Sequence, residues 1–155
     1  MSEVQLPWSL RQNPRLGQWI DLSEPGLARV FTAKVELGQG ILTALAQIAA
    51  EELRLPIAKI RVVSGDTRYS PDESYTAGSM SIEIGGSSLR IACAEAREAL
   101  LRQAVRKLDV DSSRLSLLGS TSSLRTASRR SASRASAHAI RRELPPISID
   151  MLPAV

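Results

Sequence analysis

The chain has 155 residues, 43% of them hydrophobic, enough for one ordinary domain with a buried core and too few for a second complete one. A single cysteine, Cys93, and a single histidine, His138, exclude a disulfide framework and a Cys/His zinc cluster. The formal net charge of +4 lies wholly in the last quarter: residues 1–118 carry 14 basic and 14 acidic groups, whereas residues 119–155 carry six arginines against Glu143 and Asp150. No apolar run approaches the roughly 20 residues of a membrane span, and "MSEVQLPWSLRQ" lacks the basic-then-apolar start of a signal peptide, so a cytoplasmic location is expected.

Residues 1–26 contain Pro7, Pro14 and Pro25 with Trp8 and Trp19 and little periodicity. They read as an extended arm that packs its aromatics on some surface not identified by the sequence. "GLARVFTAKVEL" then alternates with period two, which predicts a strand near Leu27–Leu37. After Gly40 the period becomes about 3.6. Ile41, Leu45, Ile48, Ala49 and Glu52 share one face, bordered by Leu42 and Leu53, and the helix Ile41–Arg54 must stop before Pro56. "KIRVVSGDT" predicts a second strand near Lys59–Asp66, followed by the turn-rich "RYSPDESYTAGS". The last element is a helix, Ser87–Leu108, with Leu89, Ala92, Cys93, Ala96, Ala99, Leu100 and Ala104 on one face. The fold class is therefore α/β, a strand-helix-strand-helix module over residues 27–118. Residues 119–155 form a Ser/Arg-rich tail whose composition cannot bury enough apolar surface to offset its ordering entropy, so disorder is expected there.

Two turns carry the chemistry. In "VELGQGIL", Gly38 and Gly40 permit positive φ at the mouth of a helix, where unpaired N–H groups and the helix dipole favour an anion such as a phosphate. Gln39 between them adds an amide able to donate and accept. On spacing alone the commoner reading is that the glycines serve only the turn, with Gln39 solvated. The second turn, "TAGSMS" at Thr76 to Ser81, also precedes a helical run, and Thr76, Ser79 and Ser81 fit either helix capping or anion binding. Together the two could grip two ends of one dinucleotide.

Other residues read as structural. Asp72 and Glu73 follow a proline and suggest an exposed turn, Cys93 suggests core packing, and His138 has no partner nearby in the tail. Gly85 and Gly86 either delay the start of the last helix or allow close packing, and the sequence does not choose.

The segments "KVELGQGILTALAQIAAEELRLP" and "IRVVSGDTRYSPDESYTAGSMSIEIGGSSLRIACAEAR", with the lead-in "PWSLRQNPRLGQWIDL", resemble the cofactor-binding subunit of molybdenum hydroxylases of the xanthine oxidase family, in the nicotinate dehydrogenase and isoquinoline oxidoreductase branch. The resemblance runs from about Pro7 to Leu118. It implies a molybdopterin cytosine dinucleotide held by Gly38, Gln39 and Gly40 and by Gly78, Ser79, Met80 and Ser81. It also implies hydroxylation of N-heterocycles or aldehydes by a much longer large subunit, partnered by a [2Fe–2S] subunit. The family's catalytic glutamate lies in a later segment with no counterpart here, so no residue of this chain inherits a catalytic role. The expectation is a truncated cofactor-binding portion, inactive alone.

At Leu118 the composition changes abruptly, as a frameshift in a GC-rich gene would change it or as a genuine basic tail would begin. In the second case the alternative function is a small nucleic-acid-binding or assembly protein using Arg125, Arg129, Arg130, Arg134, Arg141 and Arg142 on phosphates. The tail lacks any aromatic residue for base stacking, which argues against nucleic acid.

Overall fold

Strand β2 (Ala28–Thr32) is the centre of a three-stranded sheet in the computed structural model, which describes residues 6–109. It pairs parallel with β3 (Ile60–Ser64) from Ala28 opposite Ile60 to Thr32 opposite Ser64. Parallel strands need a crossover, and helix α2 (Ile41–Leu53) supplies it. On the other side β2 pairs antiparallel with the short β1 (Ile20–Asp21). Helix α3 (Ser87–Leu108) lies against α2, and Arg90 on α3 binds Glu52 on α2 at 2.7 Å. The α/β class and the strand-helix-strand-helix order of the central module are thus present.

The apolar periodicity explains the core. Ile41, Leu45, Ala49 and Leu53 of α2 are buried against Leu89, Ala92, Cys93 and Ala96 of α3 and against Ala28 and Val30 of β2. Alanines at the α3 face let the two helices approach closely. Helix α2 stops at Leu53 because Arg54 turns left-handed and Leu55 N–H closes back on the Ala50 carbonyl at 3.0 Å, ahead of Pro56. Cys93 packs in this core, and burial pushes its thiol far above the ordinary value, so it is inert as a nucleophile.

Residues 6–26 depart from the extended arm expected over residues 1–26. They form a short helix α1 (Trp8–Gln12), a 3-10 turn (Leu16–Gln18) and β1, and Leu10, Leu16, Trp19 and Ile20 are fully buried in the common core. The physical reason is hydrogen bonding that periodicity does not report. Trp19 Nε1 donates to the Asn13 carbonyl at 2.9 Å, Asn13 Nδ2 donates to the Ser9 and Asp72 carbonyls at 2.8 Å each, and Ser9 Oγ meets Ser88 Oγ of α3 at 2.7 Å. Trp8, by contrast, stays 45% exposed.

Strand β2 is also shorter than the expected Leu27–Leu37. Beyond Thr32 the ladder to β3 ends: Ser64 Oγ still donates to the Lys34 carbonyl at 2.7 Å, but Val35 N–H donates to Thr76 Oγ1 at 3.1 Å in the loop after β3. The expected tail, 119–155, lies outside the described residues. Among the described residues no helix is long and apolar enough to cross a membrane.

Candidate functional site

The two glycine-containing turns leave neighbouring edges of the fold, one between β2 and α2, the other between β3 and α3. Gly38 (φ +97°), Gly40 (φ +76°) and Gly78 (φ +43°) all take the positive φ expected of glycine at such turns. At each of them a Cβ would meet nothing within 4 Å, so the surface in front of both turns is open.

The donors of the first turn are already engaged. The Glu36 carboxylate accepts N–H bonds from Gly38 at 2.9 Å, Gly40 at 2.8 Å and Leu42 at 3.3 Å. The bond from Gly40 leads the causes that hold this carboxyl below the ordinary glutamate range. Gln39 folds back on its own loop: its Oε1 accepts from Leu37 N–H at 2.6 Å and its Nε2 donates to the Val35 carbonyl at 3.0 Å. The anion favoured at the mouth of α2 is therefore a side chain of the same loop. Glu36 inherits no catalytic role from the family resemblance; its structural role is signalled in the sequence by an acid two residues before a glycine turn.

The second turn is different. Ser81 Oγ caps it by accepting from Ala77 N–H at 3.0 Å, and Ser81 itself is buried. The N–H groups of Gly78, Ser79 and Met80 and the Ser79 hydroxyl meet no acceptor among the described residues. These donors open a continuous helical run, a π-helical segment Ser81–Gly86 leading directly into α3. Met80 is half-exposed beside them. Of the four second-turn residues singled out, three offer free donors to solvent and Ser81 shapes the turn.

A buried polar cluster connects the turns, and it corrects the reading of Glu73. Expected on an exposed turn, Glu73 is only 3% exposed; its Oε2 accepts from Thr32 Oγ1 at 2.6 Å and from Ala33 N–H at 2.7 Å. Lys34, equally buried, donates Nζ to the Glu73 and Tyr75 carbonyls at 2.6 and 2.8 Å. Burial pushes the Glu73 carboxyl above the ordinary range, and the bonds from Thr32 and Ala33 and the Lys34 charge offset this only in part. Asp72 is exposed as expected. Gly85 and Gly86 serve close packing: a Cβ on Gly85 would fall 2.7 Å from Glu73 Oε1, and one on Gly86 would fall 3.0 Å from Ile48 Cδ1.

Among the described residues no group of three or more His, Cys, Asp or Glu side chains could hold a metal ion. What this surface can hold is an anionic ligand at the second turn, through three adjacent backbone donors and a hydroxyl, with the first turn as a preformed wall beside it.

The family profile described as "Molybdopterin cofactor-binding domain" matches residues 3–149, a span that continues past Leu118. The chain is 42% identical over 93 residues to a component of the nicotinate dehydrogenase of Pseudomonas putida, an alignment covering 60% of this chain and 8% of that protein. It is 36% identical over 98 residues to the gamma component of the 6-hydroxypseudooxynicotine dehydrogenase complex of Paenarthrobacter nicotinovorans, covering 63% and 12% respectively. Among solved structures, quinoline 2-oxidoreductase from Pseudomonas putida 86 superposes with a TM-score of 0.54 at 27% identity, over 64% of this chain and 13% of that one. The chain spans about a tenth of the length of these relatives.

Proposed function

Because the chain belongs to the molybdopterin cofactor-binding domain family, we propose that it contributes one wall of a molybdenum cofactor site in a larger oxidoreductase, and that the cofactor is the cytosine dinucleotide form. The observation that carries the reading is the unequal state of the two turns. Gly78, Ser79 and Met80 present unpaired N–H groups at a helix start, whereas Glu36 occupies the equivalent donors of Gly38 and Gly40. A pyrophosphate fits the open turn: its negative oxygens would take the backbone N–H groups and the Ser79 hydroxyl, and the helix dipole adds to the attraction. Gly38, Gln39 and Gly40 would border the cofactor, their loop kept rigid by Glu36 and by the two hydrogen bonds of Gln39.

When bound, the group supplies two-electron redox chemistry at molybdenum. The residues of this chain bind and orient it; none of them is assigned to proton transfer. Hydroxylation of an N-heterocycle or aldehyde, the general base for it, and the [2Fe–2S] clusters of a partner chain are functions of the rest of the proposed assembly. The names of the relatives, a nicotinate dehydrogenase and a quinoline oxidoreductase, support an N-heterocyclic substrate for the whole enzyme.

The test is a titration of the isotope-labelled chain with cytidine diphosphate, followed at backbone amides. Binding is expected to be weak, with a Kd of about 1 mM or above, since a partial site gives few contacts against the full loss of ligand freedom. Shifts should concentrate at Gly78, Ser79 and Met80 and spare Gly38 and Gly40. Shifts confined to Gly38 and Gly40, or none up to the solubility limit of the ligand, would refute the assignment.

A further inference from the structure

The buried cluster at Lys34 and Glu73 takes no part in holding the ligand, yet it lies between the two segments that do. Residues 32–35 lead into the first turn and residues 73–76 into the second, and five hydrogen bonds join them. Glu73 Oε2 accepts from the Thr32 hydroxyl and the Ala33 N–H; Lys34 Nζ donates to the Glu73 and Tyr75 carbonyls; Thr76 Oγ1 accepts from the Val35 N–H. Four of the five depend on just two side chains. No main-chain ladder pairs these segments, so the side chains do what a ladder does elsewhere.

We infer that Lys34 and Glu73 are positioning residues which set the distance and orientation between the two cofactor turns. The inference rests on the cofactor reading above for the purpose of the clasp, though not for its existence. Placing both groups in the interior makes the arrangement stiff: a buried ammonium and a buried carboxyl have few alternative partners, so loosening either leaves unpaired polar atoms behind. Water cannot substitute as it would at the surface. The helix that starts at the second turn is shaped to admit the cluster, because Gly85 stands where any side chain would press on Glu73 Oε1 at 2.7 Å and Lys34 Cε at 3.2 Å. From the opposite side Asn13 holds the same loop, donating to the Asp72 carbonyl at 2.8 Å and accepting from Asp72 N–H at 3.1 Å. The loop 71–76 is thus gripped between α1 and the end of β2, and the second turn hangs from it.

Amide exchange in the full 155-residue chain tests the clasp without any ligand. Val35 and Ala77 report on the two turns, and Leu45 and Ala96 report on the core. Lys34→Met is expected to speed exchange at Val35 and Ala77 together by about tenfold while Leu45 and Ala96 stay within about twofold of wild type. Should Lys34→Met fail to fold, Gly85→Ala serves in its place, since its methyl displaces the Glu73 carboxylate from within the helix. Glu73→Gln, which keeps an acceptor oxygen for Thr32 and Ala33, should retain the wild-type pattern where Glu73→Ala does not. Uniform loss of protection at all four reporters, or loosening of Val35 alone, would overturn the inference. The cofactor link is read separately from cytidine diphosphate binding. Binding by wild type that weakens about tenfold in Gly85→Ala supports it. Binding unchanged in that variant overturns the positioning role, and no binding by wild type overturns the cofactor reading while the exchange result stands by itself.

Discussion

Trp19→Phe decides whether the segment 6–26 belongs to the fold or merely lies on it. The indole is fully buried, and its Nε1 makes the 2.9 Å bond that satisfies the Asn13 carbonyl. Phenylalanine keeps an aromatic ring in the core but removes that donor and part of the ring volume. A buried acceptor left without its partner costs about 1–3 kcal/mol, and the residual cavity adds roughly 1 kcal/mol, for a total of about 2–4 kcal/mol. A domain of about 100 residues is stable by roughly 5–15 kcal/mol, so the variant should still fold. At roughly 4–8 °C per kcal/mol the melting temperature should fall by about 8–32 °C. Trp8→Phe provides the control: Trp8 is nearly half exposed, and its replacement should change stability by about 0.5 kcal/mol or less. The assay is thermal unfolding followed by circular dichroism. Equal melting temperatures for the two variants would refute the argument, because they would mean that Trp19 and its hydrogen bond contribute nothing beyond what a surface ring contributes.

Leu45→Asp places a carboxylate at the centre of the α2–α3 contact and should abolish cooperative unfolding, since burying a leucine is worth about 1.5–3 kcal/mol and an unpaired buried charge costs more; a retained sharp transition would contradict the packing. The Glu36 carboxyl is held below its ordinary value of 4.5, so its contribution is present above that pH and lost as pH falls through the lowered value, and the Gly40 amide shift should titrate with a midpoint below 4.5. Glu73 has the opposite sign: its pKa is raised, so its contribution is present below 4.5 and fades as pH rises through the higher folded value. The melting temperature of wild type should therefore fall relative to that of Glu73→Gln across this window.

The helices α2 and α3 were legible because their buried positions repeat at helical spacing: Ile41, Leu45 and Ala49 in one, Leu89, Ala92, Cys93 and Ala96 in the other. The positive φ at Gly38, Gly40 and Gly78 was legible because glycine at a strand-to-helix turn has few other reasons to be there. The polar interior was not. Lys34 continues the alternation of β2 and Glu73 follows Pro71-Asp72, so each reads locally as a surface charge. What buries them is their bonding to one another's segments, 39 residues apart in the chain, which no window of sequence contains. The structure of residues 6–26 was hidden for a similar reason: Ser9, Asn13 and Trp19 are polar or bulky residues whose partners are carbonyls and a serine distant from them along the chain or outside any helix or strand. The role of Glu36 is local: a carboxylate two residues before Gly38 is within reach of the N–H groups that the turn exposes.

A loop that carries its own counter-charge needs nothing from outside to hold its shape. With Glu36 across the amides of Gly38, Gly40 and Leu42, the entrance of α2 is finished when the polypeptide has folded, and so can stand ready during the interval before a prosthetic group arrives. On the cofactor reading proposed above, maturation would be divided in time between the two edges of the site: one is built by folding, and the other, at Gly78 to Met80, would exchange hydrating water for phosphate oxygens on loading. On that reading only one edge has to change partners at the moment of capture.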